Sequence, residues 1–401
     1  MTLSPIATTA LVQHRQNFPT LANKAYFNYG GQGTMPKASL EAIYQAHEYL
    51  QSVGPFSGEV NGWLNREEAR TRQTIAQVLG TTADTLTLTE NVTMGCNIAL
   101  WGLGWQAGDH LMLSDCEHQG VIAAVQELQH RFGIEVSTCP LQATLNGGDP
   151  VAVVANHLRP NTRLVVLSHI LWNTGQVLPL AEIVALCREH RGRSQPVRVL
   201  VDAAQSVGML PLNLSELGAD FYAFTGHKWW CGPAGVGGLY IRPEARESLR
   251  PTFIGWRGVV KDGSGYPIGY LPDGRQFEVA TSDYPLYGAL CAAIALHNQW
   301  GTASDRYQQI RALSGNLWQK LAALPSVVCL RTAPPESGLV SFQVPGRSHD
   351  QLVKFLETRG FLLRVLLDPN CVRACVHYFT LEEEIDRLVN TVAEFIASAS
   401  T

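Results

Sequence analysis

Apolar positions along this chain come in short runs, and the stretches between the runs carry a helical period. Residues 85–89, 111–113, 135–140, 163–170 and 197–202 are rich in Val, Leu, Ile and Thr, which predicts strands. Between them, residues 92–103, 119–131, 150–158 and 180–190 show the wider spacing of apolar side chains that predicts helices. Strands that alternate in this way with helices predict an α/β domain with a mostly parallel sheet covered on both faces. Two more runs, 221–224 and 236–241, flank a glycine-rich segment and predict a hairpin-like excursion topped by Lys228. Ahead of the alternation the pattern predicts a helix over 8–17, a short strand opening into the glycine loop 25–36, and helices over 37–52 and 67–79. After Pro243 the pattern changes. Residues 255–274 are rich in Gly, Pro and aromatics and read as a long functional loop. Helices over 285–300 and 304–324 follow; strands at 327–330, 339–344, 362–367 and 372–378, with helices at 349–359 and 381–397, then predict a smaller α+β lobe.

Composition narrows the partners. A chain of 401 residues is long enough for a large core and for two lobes. Lys plus Arg number 30 against 34 Asp plus Glu, a net charge of −4, with no basic run, which argues against nucleic acid and anionic membranes. No basic-then-apolar leader opens the sequence, and no apolar segment reaches about 18 residues without a charge or breaker, so a soluble, cytoplasmic protein is expected. Nine cysteines without a CxxC pair suit reduced thiols; neither a disulfide framework nor a metal site is expected.

Open α/β sheets bind ligands beyond the carboxyl ends of their strands, so candidate chemistry is sought there. A lysine buried among tryptophans loses pKa on desolvation and becomes a nucleophilic amine, and Lys228 reads equally as such a Schiff-base lysine or as a surface lysine in a tight turn. Asp202 ends the run 197–202. It reads as a carboxylate that keeps a pyridine ring protonated, or as a helix cap. His118 reads as a ring stacked on a flat cofactor or as a solvated loop histidine. Thr93, at a helix start, reads as a phosphate ligand beside free N–H groups or as a plain capping residue.

Taken together, Thr93, His118, Asn173, Asp202-x-x-Gln205 and Thr225-x-His227-Lys228 closely resemble the fold-type I pyridoxal phosphate enzymes of the class V aminotransferase group, the cysteine desulfurases and their relatives. The resemblance runs from Tyr26-Phe-Asn-Tyr-Gly-Gly31 to the last helix. It implies pyridoxal 5'-phosphate as cofactor, a large domain (21–284) with a seven-stranded mostly parallel sheet, and linking helices with a smaller α+β C-terminal domain (285–401). Residues 1–20 would pack with the small domain. It further implies Lys228 as the Schiff-base lysine, Asp202 on the pyridine nitrogen, Gln205 at the ring phenolate and His118 stacked on the ring, so that Lys228, His118 and Asp202 form the catalytic set. Val92, Thr93, Thr225 and His227 would bind the phosphate, joined by Thr281 from the neighbouring subunit. A homodimer with a shared active site follows. Asn173, Gly31, Arg373 and Arg364 would contact the substrate, Arg373 as the bidentate clamp on its α-carboxylate.

The C-terminal lobe sets this chain apart from the desulfurases. Where those carry a longer loop bearing a cysteine that attacks sulfur, only eight residues, Val365-Leu-Leu-Asp-Pro-Asn-Cys-Val372, separate Arg364 from Arg373 here, and Asp368-Pro-Asn370 reads as a tight turn. At about 3.3 Å per extended residue such a turn has little slack to swing a thiol. Cys371 and Cys375 therefore read as packing residues, a nucleophilic Cys371 being the alternative. Within the group, the cysteine/cystine C–S lyases are the closest resemblance. They imply β-elimination from cystine, and less well from cysteine, giving pyruvate, ammonia and a persulfide or sulfide for sulfur mobilisation such as iron–sulfur cluster assembly. Trp256, Arg257 and Tyr266 are candidates to line the pocket for the distal half of the substrate, with Arg257 or Arg364 on its carboxylate. The rival readings are a desulfurase giving alanine, an aminotransferase or epimerase of the same group, and a cofactor-free binding protein.

Overall fold

The alternating runs assemble into one seven-stranded sheet in the computed structural model of the chain, which describes residues 5–190 and 196–398. Its strands are β1 (Leu86–Thr89), β2 (His110–Ser114), β3 (Glu135–Cys139), β4 (Thr162–Ser168), β5 (Arg198–Asp202), β6 (Phe221–Thr225) and β7 (Gly237–Ile241), in the spatial order β1-β7-β6-β5-β4-β2-β3. From β3 to β6 all neighbours are parallel. β7 turns back antiparallel from β6, and β1 lies antiparallel to β7.

Alternation along the strands feeds two cores. Met112, Val165, Val199 and Tyr222 share one with Ile75, Val154 and Ile183 of the flanking helices. Leu111, Leu164, Leu200 and Phe221 share the other with Ala99, Leu100 and Val125. Each buried aliphatic side chain stabilises by about 1.5–3 kcal/mol, and a one-residue slip would exchange the two faces, so register is held from both sides.

Beyond the sheet, β8 (Val328–Cys329), β9 (Leu339–Gln343), β10 (Arg364–Leu367) and β11 (Asn370–Cys375) form an antiparallel sheet in the order β8-β9-β11-β10. Helices Ala303–Ala322, His349–Glu357 and Glu382–Ser398 pack on it through Leu317, Leu352, Leu356 and Leu388. The helix Pro5–Arg15 and Phe18 lie against Tyr378 and Phe379, and Arg15 pairs with Glu384 at 2.6 Å in a buried ion pair. Residues 1–4 of the segment expected to pack there lie outside the described residues. Among the described residues no helix is long and apolar enough to cross a membrane.

Three elements differ from expectation. The helix expected over 67–79 begins at Gly58, because the Ser57 hydroxyl accepts from Val60 N and Val60 is fully buried, which overrides the low helix propensity of Gly58 and Gly62. The run 362–367 divides in two. Phe361–Leu362 pairs parallel with Ala25–Tyr26, while β10 pairs with β11. The loop 255–274 contains a hairpin, Val259–Lys261 with Pro267–Tyr270.

Candidate active site

The carboxyl ends of the parallel strands open into a cavity of about 730 Å³, closed by the loop at Gly30 and Gly31, the start of helix Val92–Gly102, and β10. Asp202 is the last residue of β5, buried, in register with Ser168 of β4, and its Oδ1 accepts from Ala204 N at 2.9 Å. Lys228 follows β6 and lines the cavity, and its ammonium has no ion pair among the described residues. Burial pulls this amine from its ordinary range down to about 8; Asp202 opposes the shift, while Arg373 and Arg364 add to it.

The loop carrying Lys228 is tightly held. His227 O accepts from Gly33 N at 2.7 Å, and a Cβ at Gly33 would stand 2.1 Å from Lys228 O, so only glycine fits there. His227 lines the cavity and its Nδ1 lies 2.6 Å from Thr225 Oγ1. Burial, with Lys228 adding, pulls this imidazole down to about 4, so it is neutral at neutral pH. Thr225 itself is buried behind His227 and is not part of the cavity wall. Val92 and Thr93 do line it. Asn91 caps their helix by accepting from Met94 N at 3.0 Å, so the positive end of the helix dipole and the remaining first-turn N–H groups meet the cavity.

On the opposite wall Arg373 is 1 % exposed and has no carboxylate partner among the described residues. Its Nη1 donates to Trp172 O at 2.7 Å; Nε and Nη2 have no partner, and neither does Oδ1 of the neighbouring Asn173. A buried guanidinium left in this state calls for an anion. Gly30 makes room for it, since a Cβ there would stand 2.9 Å from Arg373 Nη2. Arg364 faces Arg373 across the β10–β11 pair and also lines the cavity. Gln205 Nε2 donates to Gly30 O and its Oε1 accepts from Trp229 Nε1, both at 2.9 Å, so this side chain already anchors two walls.

Lys228, Asp202, His118, Gln205, Thr93, Val92, His227, Asn173, Gly31, Arg373 and Arg364 are thus brought together. Trp256 and Thr281 are not. Both are exposed on the segment after β7 and stand outside the cavity of their own chain, Trp256 being 53 % exposed. Tyr266 is exposed on the hairpin, and Arg257 is spent on Glu278 at 2.8 Å and Glu68 at 2.5 Å, so neither serves a substrate within the chain.

Other cavity residues went unseen in the sequence. Glu117 accepts from Ser114 Oγ, Ser168 N and Ser168 Oγ at 2.5–2.9 Å, tying the His118 turn to the ends of β2 and β4. Burial raises its carboxyl to about 7 against those hydrogen bonds. Trp172 meets the His118 ring edge-on at 5.8 Å. Cys116 lines the cavity, 1 % exposed, with its thiol held protonated by burial. Cys371 and Cys375 are fully buried and absent from the cavity wall, and burial pushes the Cys371 thiol up to about 11. A metal-like trio, Cys231, His297 and His377, stands deeper, but every imidazole nitrogen in it already has a hydrogen-bond partner.

The aminotransferase class-V profile matches residues 26–388. Among solved structures, a complex of the cystine C–S lyase C-DES with its reaction product cysteine persulfide superposes with a TM-score of 0.92 at 53 % identity, covering 94 % of this chain and 99 % of that one. The same protein is also known as a lysine-to-alanine mutant with glycine covalently linked to the pyridoxal phosphate cofactor, at a TM-score of 0.93. The isopenicillin N epimerase of Streptomyces clavuligerus is 30 % identical over 389 residues, 93 % of this chain and 94 % of the relative. A cysteine desulfurase of Klebsiella pneumoniae is 28 % identical over 415 aligned positions, 95 % and 97 % of the two chains.

Proposed function

The chain belongs to the aminotransferase class-V family, and on that premise we propose that it is a pyridoxal phosphate-dependent carbon–sulfur lyase that eliminates from Cβ of cystine, and less well of cysteine. The residues present suit the cofactor. A lysine and a buried guanidinium, neither with an ion pair among the described residues, stand with a buried carboxylate, an exposed imidazole and a helix N-terminus around a single cavity. Val92, Thr93 and His227 would hold the phosphate, Asp202 the ring nitrogen and Lys228 the aldehyde carbon, with Thr225 acting through His227. Bound there, pyridoxal phosphate supplies an electron sink for the pair left when a substrate Cα–H bond breaks.

The chain's own groups do the rest. Arg373 would clamp the α-carboxylate through Nε and Nη2, which have no partner, and so hold the substrate in the cavity that Lys228 also lines. The neutral Lys228 amine removes the Cα proton, a role that a pKa pulled down to about 8 allows near neutral pH. Asp202 would pair with the ring nitrogen and favour its protonated form. The Cβ–S bond then breaks with its electron pair on sulfur. Cystine and one water give pyruvate, ammonia and cysteine persulfide.

One observation decides for elimination over sulfur transfer to the protein. β10 and β11 are joined by a hairpin with Leu367 paired to Asn370, so the connection between Arg364 and Arg373 bears no thiol into the cavity, Cys371 and Cys375 are fully buried, and the thiol of Cys116 in the wall is held protonated by burial. The released persulfide would serve sulfur mobilisation such as iron–sulfur cluster assembly, and nine free thiols fit a reducing compartment such as the cytoplasm. We further propose a homodimer. Phe253, Ile254, Trp256, Tyr266 and Ile268 are 53–70 % exposed on the segment that also presents Thr281, an apolar surface suited to a second copy, where Thr281 and Trp256 would complete the partner's cavity. Product analysis after one turnover tests the lyase reading: pyruvate with cysteine persulfide is expected. Alanine, with one sulfur added to Cys371, would return the chain to the desulfurase reading.

A further inference from the structure

The half-buried His14 and the buried Tyr378 and His297, all outside the cavity, make a hydrogen-bonded chain that ends on the turn carrying Lys228, and the buried His377 meets the same turn beside it. In that turn Cys231 N donates to Lys228 O at 3.0 Å, and Cys231 has φ +53°, a left-handed conformation that costs a non-glycine residue about 1 kcal/mol or more. The carbonyls of Trp229 and Trp230, which a surface turn would show to water, are buried and need donors. His377 Nε2 supplies one to Trp229 O and His297 Nε2 supplies the other to Trp230 O, each at 2.9 Å.

The partners settle the proton positions. His377 Nδ1 accepts from Tyr378 N at 3.0 Å, so its proton is on Nε2. His297 donates from Nε2, so its Nδ1 accepts from the Tyr378 hydroxyl at 2.8 Å. That hydroxyl's one proton is then engaged with His297, so its oxygen accepts from His14 Nε2, also at 2.8 Å. The order is His14, Tyr378, His297, Trp230 carbonyl, every link being a neutral donor on a neutral acceptor. Burial holds the imidazoles in that state, drawing His14 down to about 4 and His297 to about 3. Packing reinforces the arrangement: His377 stacks on Trp229 at 5.7 Å and on Phe379 at 4.3 Å, and Trp229 is pinned through Nε1 to Gln205.

We infer that His377 and the His14–Tyr378–His297 chain are positioning residues, which fix the peptide planes after Lys228 and so the direction of its side chain into the cavity. They make the N-terminal helix and the C-terminal lobe part of the catalytic apparatus without touching substrate. The inference rests on the lyase reading for what Lys228 does, but not for how it is held.

The test uses full-length holoenzyme with Tyr378→Phe, which keeps the ring and deletes the hydroxyl joining His14 to His297, and His377→Gln beside His377→Leu, since only Gln can still donate to Trp229 O. For Tyr378→Phe and His377→Leu we expect amide exchange in residues 226–234 to rise about tenfold, on the scale of one lost buried hydrogen bond. The pH midpoint of the bound cofactor's visible absorbance should shift, and kcat should fall about tenfold with KM changed far less. His377→Gln should restore most of each property. Lowered thermal stability alone, with exchange in 226–234 and the pH midpoint as in wild type, would overturn the inference. Failure of wild type to make pyruvate from cystine, with those shifts intact, would instead overturn the lyase reading.

Discussion

Lys228 is half-buried in the cavity wall and Arg373 is buried, neither has an ion pair among the described residues, and their behaviour follows from that state. Only the neutral amine attacks an aldehyde, and burial moves the Lys228 transition from the usual lysine range to about 8. The rate at which cofactor-free protein takes up pyridoxal phosphate should therefore climb as pH rises through about 8, not above 10, as followed by stopped-flow absorbance. Lys228→Ala should show neither the visible band nor turnover while keeping its fold by circular dichroism. Arg373→Lys keeps the charge and loses the fork, so KM for cystine should rise about ten- to a hundredfold. At this scale the sequence marked Lys228 and Asp202 as candidates because they sit in glycine-bounded and strand-end contexts, and Arg373 only through its match to the family pattern. It hid Glu117, whose partner Ser168 stands 51 residues away, and Trp172, which joins the site only through contacts made on folding.

The hairpin of β10 and β11 shows what an element decides. Its register sets Arg364 opposite Arg373, and the strand that carries Arg373 buries Cys371 and Cys375, the latter against Tyr29, Ile170 and Trp229. Single Cys371→Ala and Cys375→Ala variants should keep at least about half of wild-type activity, since each removes a buried thiol and no reacting group. Mass spectrometry during turnover should find no persulfide on either cysteine. A sulfur adduct on Cys371 with activity lost in its alanine variant would contradict this. The tight turn was legible from Asp368-Pro-Asn370 because turn chemistry is local. Helix Gly58–Leu79 was legible only from residue 67, because its first turns depend on a cap at Ser57 and on burial of Val60.

Across the whole molecule, neutral buried histidines tie the lobes together and set an acid limit. His169, His297 and His377 are fully buried, with pKa values about 4, about 3 and well below the usual value. Their folded values are depressed, so the stability they contribute is complete above the unfolded value of 6.5 and is lost as pH falls towards 4. Each can add a slope of up to about 1.4 kcal/mol per pH unit in that window. Denaturant midpoints should therefore drop steeply between about pH 6.5 and 4, and His169→Asn should flatten the curve. Retention of the pH 7 midpoint at pH 4.5 would contradict it. What the sequence determined by itself was what local physics specifies: alternating strands and helices, a two-lobed α/β architecture, and candidate residues at strand ends and in the glycine-rich segment, whose joint reading as a cofactor site came from the family resemblance. Tertiary structure alone decided which of these meet. Gln205 braces Gly30 and Trp229, Arg257 is consumed by Glu278 and Glu68, Trp256 and Thr281 point away from their own cavity, and the Lys228 turn is held by histidines from both ends of the chain. Such contacts join residues tens to hundreds of positions apart, and no periodicity or spacing encodes them, because they exist only once burial has removed water as the competing partner.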